Sequence, residues 1–204
     1  GYMRGLGAQM AAGGAAPGFA LTELQSFTNK PELPHNGTLS EALFLSGMIN
    51  AAMRLDGMVE LITHSALVNH GGGLRKWREI VFANPVHCAS SLYSLQTGTI
   101  PVGLRVACPM FESTGKYLPA VKDVPYLDAA ALLDADGAAV TLIVTNRHPE
   151  EALAASVAIE NFNAAPDAAV RTIGGASYMA VNTWEDPENV RIVAFGFLTR
   201  ARTA

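Results

Sequence analysis

Phe19-Ala20-Leu21-Thr22-Glu23-Leu24 is a short apolar run that closes on a single carboxylate. A polar loop over residues 25–37 follows it, then Thr38-Leu39-Ser40-Glu41 and a largely apolar stretch to about Leu55. Thr and Glu at this spacing predict a capping box, with the Thr38 hydroxyl on an early helix N–H and Glu41 reaching back to the cap. Asp56-Gly57 predicts the helix stop, where glycine supplies a left-handed residue. Met58-Val59-Glu60-Leu61-Ile62 then reads as a second strand. Strand, helix and strand in this order make a βαβ unit. Its two strands must run parallel, because only parallel pairing needs a crossover of this length. Barrel enzymes keep their chemistry at the C-terminal ends of such strands, and Glu23 stands at one.

Composition narrows the function classes. Half of the 204 residues are hydrophobic and 16% are charged, richer in apolar and poorer in charged residues than most soluble domains. No apolar stretch reaches the roughly 18 uncharged residues that a membrane span needs, so no membrane partner is expected. The N-terminus carries no signal-peptide pattern. A net charge of −4 leaves no basic footprint for nucleic acid. Cys88 and Cys108 lie in apolar contexts and read as buried free thiols, consistent with a cytoplasmic protein. The five histidines, at 35, 64, 70, 87 and 148, lack ligand spacing, so neither metal nor cofactor is expected.

The two halves differ in kind. Residues 1–97 read as α/β, beginning with a Gly- and Ala-rich helical stretch over 1–14 and the turn Pro17-Gly18. A flexible loop is expected at Asn69-His70-Gly71-Gly72-Gly73, and a helix over residues 85–96. Residues 98–204 read as all-β, with strands over 100–107, 128–133, 139–146, 157–160, 169–173 and 190–197. Ala135-Asp136-Gly137 between two of them is a hairpin turn. Val140, Leu142 and Val144 alternate with Thr141, Ile143 and Thr145, so one face of that strand can lie on a core. Short strands at this spacing predict a β-sandwich. A complete eightfold barrel takes about 250 residues. The first half therefore has room for about two barrel units of ~30 residues each.

Taken in order, several runs resemble the C-terminal part of the α-L-arabinofuranosidases of glycoside hydrolase family 51. They are Leu21-Thr22-Glu23, Glu41-Ala42-Leu43, Ala66-Leu67-Val68-Asn69, Val124-Pro125-Tyr126-Leu127-Asp128, Val144-Thr145-Asn146-Arg147 and Asn182-Thr183 with Asp186-Pro187-Glu188-Asn189-Val190. The resemblance implies the last units of a (β/α)₈ barrel (1–97) followed by a jelly-roll-type β-sandwich (98–204). It also implies retaining hydrolysis of terminal arabinofuranosyl groups in arabinan or arabinoxylan, with Glu23 as the nucleophile. The family's acid/base Glu belongs to an upstream strand, so a complete site is not expected within this chain. Leu24-Gln25-Ser26 depart from the residues that often follow the nucleophile, and Ala66 stands where one branch has a sugar-binding Gln. His64 is a candidate to replace that contact, with Asn69 beside it. A homo-oligomer, or association with the rest of the barrel, is expected, since barrel fragments expose strand edges.

Other readings compete. A retaining glycosidase needs two carboxyl groups about 5–5.5 Å apart. Glu32 in the Pro-flanked loop, Glu41 in the cap and Glu60 within a strand are poor partners for Glu23. His70 and the three glycines after it imitate an esterase oxyanion loop, but no serine sits in a Gly-x-Ser-x-Gly elbow. Gly5-Leu6-Gly7 lacks the third glycine of a dinucleotide fingerprint. Trp77 is a candidate sugar-stacking surface or a loop anchor; Trp184, Asn146 and Arg147 read as structural. The alternative function is a non-catalytic module for carbohydrate binding or assembly.

Overall fold

The computed structural model describes residues 2–14, 18–26, 28, 30–55, 57–115 and 119–198. Pro17 of the first turn and Asp56 of the helix stop lie outside the described residues. Helix α1 (Tyr2–Ala12) ends at Gly14, whose φ is +82°. Strand β1 (Phe19–Leu21), helix α2 (Leu39–Met53) and strand β2 (Val59–Ile62) form the expected βαβ unit. β1 and β2 pair in parallel, Phe19 with Val59 and Leu21 with Ile62. Gly57, at φ +76°, makes the turn out of α2.

The capping box does not form. Thr38 is the N-cap residue, but its hydroxyl donates to the His35 carbonyl at 2.7 Å and makes no cap bond. Distant backbone covers the first turn instead. The N–H groups of Leu39 and Ser40 donate to the carbonyls of Ala180 and Tyr178 at 2.8 and 2.9 Å. Tertiary acceptors satisfy the orphan donors of the helix end, which frees the Glu41 side chain to turn inward.

A hairpin absent from the sequence reading follows β2: β3 (Leu74–Trp77) and β4 (Ile80–Ala83), antiparallel, with Arg78 at φ 53° in the turn. No Asn-Gly or Asp-Gly marks that turn, and this is why periodicity missed it. Helix α3 (Pro85–Leu95) starts with proline in its first turn, where a missing N–H costs nothing.

The rest is strand and irregular chain: β5 (Ile100–Pro101), β6 (Met110–Ser113), β7 (Val121–Pro125), β8 (Leu127–Leu133), β9 (Val140–Asn146), β10 (Asp167–Thr172) and β11 (Val193–Leu198). They form small sheets, ordered β5-β8-β9, β6-β7 and β10-β11. The β8–β9 hairpin turns at Gly137, φ +73°, as expected. Its inward face on β9 carries Ile143 and Thr145, while Leu142 and Val144 are exposed. Two expected strands are corrected. Only Ile100–Pro101 of the 100–107 run pairs, and residues 157–160 form no strand. Val102, Leu104, Val106, Val157 and Ile159 are exposed, and strand propensity without a neighbouring strand makes no ladder.

The core crosses residue 98. Leu39, Ala42 and Leu45 of α2, Val86 and Ala89 of α3, and Val190 form one buried cluster, with Ile173 and Ala180 packed against it. A buried polar network reinforces that junction. Asn50 of α2 is fully buried; its amide donates to Asp128 of β8 at 3.2 Å and its carbonyl accepts from the Tyr93 hydroxyl at 2.8 Å. Arg54 lies 3.0 Å from the other Asp128 oxygen. Burial, with a smaller push from the Asp128 charge, drives the Tyr93 hydroxyl pKa up to about 12.

Replacing Asn50 with Ala strands one Asp128 oxygen and leaves the Tyr93 hydroxyl only the Ser46 carbonyl, at 3.2 Å. The expected cost is about 2 kcal/mol in urea unfolding, because bonds to charged groups and orphaned buried groups are the expensive ones. Tyr93→Phe removes a single hydroxyl and is expected to cost about 1 kcal/mol.

Candidate functional site

The C-terminal ends of β1 and β2 open side by side. Pairing runs past the strands themselves, with Thr63 N–H donating to Leu21 O at 2.8 Å and Thr63 Oγ1 to Thr22 O at 2.6 Å. Glu23 follows on the exposed side of the chain. Its carboxylate makes no hydrogen bond or ion pair among the described residues. The segment around it is held firmly. Leu24 packs against the hydrophobic core. The Gln25 carboxamide accepts from the Ser65 hydroxyl, and Ser65 Oγ lies 3.1 Å from His70 Nδ1. Ser26 N–H donates to both oxygens of the Glu41 carboxylate at 2.8 and 2.9 Å.

Glu41 and His64 form the floor beneath that segment. The Glu41 side chain is 0% exposed, and His64 Nε2 lies 3.8 Å from its Oε1. Neither ring nitrogen of His64 has a hydrogen-bond partner among the described residues. Burial raises the Glu41 pKa, and the hydrogen bonds from Ser26 pull it back in part. Burial lowers the His64 pKa. Both shifts run towards the uncharged forms, because burial penalises charge on each group.

The glycine loop is buried and pinned, which corrects the expectation of flexibility. Gly71, Gly72 and Gly73 are all buried, and Gly72 N–H donates to Ala66 O at 3.0 Å. A Cβ on Gly71 would collide with the Gln25 carboxamide and the Ser65 hydroxyl. Gly73 takes φ +89°, and a Cβ there would lie 2.6 Å from Val86 Cγ1. Only glycine lets this loop pass between the strand ends and α3.

The remaining candidates lie farther along the hairpin. Asn69 is exposed, and its carboxamide clamps the hairpin base, donating to Lys76 O at 3.0 Å and accepting from Lys76 N–H at 2.8 Å. Trp77 is 57% exposed, with the Arg78 guanidinium 4.7 Å from its ring. Trp184 stands edge-on to it at 6.3 Å and edge-on to Phe82 at 4.7 Å. No hydrogen bond or ion pair among the described residues links Glu23 to His64, Asn69 or Trp77.

Sequence reasoning missed Gln25, Ser65 and the inward turn of Glu41. The available signal was Gly71, where a close approach by another chain segment excludes a side chain. The other carboxylates are poorly placed to pair with Glu23. Glu60 packs its side chain against Gly18, at the opposite end of β1. Glu32 is exposed in the polar loop. An open groove of about 570 Å³ lies between α2 and residues 147–149, lined by Phe44, Met48, Asp128 and His148, and none of the four candidates borders it.

The His64 shift has a definite sign in stability. The unfolded chain takes up a proton near the ordinary value of 6.5, whereas the folded chain resists until a lower pH. Stability attributable to His64 is therefore present above 6.5 and lost as pH falls from there through the folded pKa. Glu41 acts oppositely: its contribution is complete below 4.5 and is lost as pH rises through its raised pKa. His64→Gln is expected to lose less stability than the parent chain between pH 7.5 and 5.5, read as urea midpoints at the two values.

Residues 18–203 match the family described as the α-L-arabinofuranosidase C-terminal domain. No curated protein matches the chain significantly. Among solved structures, the thermostable family 51 α-L-arabinofuranosidase from Thermotoga petrophila RKU-1 is 26% identical, with a TM-score of 0.78 over 90% of this chain and 39% of that one. The α-L-arabinofuranosidase from Thermotoga maritima, solved as an arabinose complex, is 26% identical, with a TM-score of 0.73 over 90% of this chain and 38% of that one. The family 51 enzyme from Xanthomonas axonopodis pv. citri shares the fold at 20% identity, with a TM-score of 0.71 over 87% of this chain and 36% of that one. The chain thus spans well under half the length of these relatives. No described helix is long and apolar enough to cross a membrane. With the family match running through both the βαβ unit and the small sheets after it, the chain belongs to the α-L-arabinofuranosidase C-terminal domain family and corresponds to the C-terminal part of the family 51 enzymes.

Proposed function

We propose that this chain is the nucleophile-bearing part of a retaining α-L-arabinofuranosidase acting on arabinose-containing poly- or oligosaccharides. The observation that carries the reading is Glu23, an exposed carboxylate on a tethered segment at the C-terminal end of a parallel strand. Family membership supports the substrate class. In this reading β1-α2-β2 is the closing portion of a (β/α)₈ barrel within residues 1–97. Residues 98–204 are a jelly-roll-type sandwich, although core packing ties the two together.

The chemistry follows from the carboxylate's setting. An ionised Glu23 attacks the anomeric carbon and the leaving oxygen takes a proton from a second carboxyl group; water then releases the sugar with retained configuration. Glu41 is turned to Ser26 and Glu60 sits at the other strand end, so neither serves as that acid. The proton donor is assigned to a carboxyl group outside this mouth, on the remainder of the barrel. β1 and β2 form a two-stranded sheet, so each leaves one edge unpaired among the described residues, which suits docking to that remainder or to a second copy. Asn69, exposed at the hairpin base, is assigned to sugar contact and Trp77 to stacking on a sugar ring, while His64, whose ring nitrogens are buried, is assigned to the floor beneath the Glu23 segment. Free thiols at Cys88 and Cys108 support a reducing, cytoplasmic setting.

The exposed Trp77 and Trp184 rings favour one second reading, a carbohydrate-binding module without turnover. The two separate on aryl α-L-arabinofuranosides. A positioned acid is typically worth about 10²–10⁴-fold, so an incomplete site is expected to act first on substrates with very good leaving groups. Glu23→Gln is expected to abolish that hydrolysis, and Glu32→Gln and Glu60→Gln to leave it unchanged. Hydrolysis unaltered by Glu23→Gln overturns the assignment; arabinan binding without any turnover favours the module.

A further inference from the structure

Glu41 is a fully buried carboxylate for which the proposed chemistry has no use, and α2 does not need it either. The first-turn donors of that helix are met by Ala180, Tyr178 and Thr38 carbonyls. Burying a carboxyl group is costly unless donors compensate. The donor it meets is the Ser26 N–H, shared between both its oxygens at 2.8 and 2.9 Å. That amide lies three residues beyond Glu23. On the strand side, the same segment is pinned by Thr63 Oγ1 on Thr22 O at 2.6 Å. Glu23 therefore sits between two anchors, one from the end of β2 and one from the floor of α2, while its own carboxylate stays free of partners among the described residues. Gln25, held to Ser65, steadies the stretch between them.

We propose that Glu41 is a positioning residue for Glu23: its carboxylate grips the Ser26 amide and so fixes the backbone that presents Glu23 at the mouth of β1. The inference rests on the reading of Glu23 as the nucleophile, but its structural half is measurable without turnover. A nucleophile must be held within a few tenths of an ångström of its attack geometry, and rigid neighbours supply that. A carboxyl group suits the task because both of its oxygens face the one amide.

The test compares the full chain with Glu41→Leu and Glu41→Gln. Leucine removes both acceptor oxygens while filling the space with apolar atoms, and glutamine keeps one acceptor oxygen. In Glu41→Leu the Ser26 amide is expected to exchange about tenfold faster, the loss of one net hydrogen bond. The ¹⁵N order parameter of the Glu23 amide is expected to fall from rigid values towards about 0.6. Glu41→Gln is expected to restore most of both. Exchange at Ala130 in β8 serves as the control and is expected to stay unchanged. If Glu41→Leu does not fold, Glu41→Met replaces it, since an unbranched side chain adapts to the same space. An unchanged Glu23 order parameter overturns the proposal, and so does equal loosening of Ser26 and Ala130, which marks general destabilisation. In protein that turns over aryl arabinofuranosides, kcat is expected to fall in Glu41→Leu with KM unchanged. If Glu23 loosens as expected while Glu23→Gln leaves hydrolysis intact, the nucleophile assignment fails and the tether stands.

Discussion

The Asn50 carboxamide is the joint on which this structure turns. It lies inside α2, is closed to solvent, and meets the Asp128 carboxylate on one side and the Tyr93 hydroxyl on the other. Each contact reaches a different element, so one side chain fixes α2 against β8 and α3 together. The placement of α2 in turn fixes everything around Glu23. As the crossover between β1 and β2 it makes their pairing parallel, and it carries Glu41 beneath the segment that follows β1. Hydrophobic burial around Leu45, Val86 and Val190 supplies the bulk of the adhesion at this junction. The polar joint supplies the register, because a buried amide and carboxylate tolerate no slip that would leave them unpaired.

Local pattern carried the sequence reading where local pattern decides structure. The βαβ order, the helix over 85–96 and the Gly137 hairpin were legible because periodicity, proline and glycine act within a few residues. The reading failed wherever distant chain took over. Thr38 and Glu41 have the spacing of a capping box, yet Ala180 and Tyr178 carbonyls reached the helix donors first. The run over 100–107 has strand propensity, yet only its first residues meet β8. The three glycines after His70 look mobile in sequence and are buried in space, because the neighbours that enclose them come from Gln25, Ser65, Leu67 and α3.

The candidate site shows the same division. Glu23 was legible from its place after an apolar strand and from resemblance, since a strand end needs only local sequence to be recognised. The supports around it were not. Gln25, Ser65 and Glu41 gain their meaning from meeting across strands, and no spacing along the chain encodes such a meeting. Asn69 was legible as a residue of interest; its carboxamide, however, is engaged at the hairpin base, so any sugar contact must come at the expense of the Lys76 backbone bonds or from the open face of the side chain.

The cap on α2 has a consequence for the nascent chain. Ser40 and the Tyr178 carbonyl that accepts the hydrogen bond from its hydroxyl are 138 residues apart. At ribosomal speeds of about 5–20 residues per second, the N-terminal turn of α2 waits on the order of ten seconds before its acceptors exist. During that interval Glu41 has a helix to stand on, but the turn that carries it is frayed. The mouth of β1 is thus completed late in synthesis.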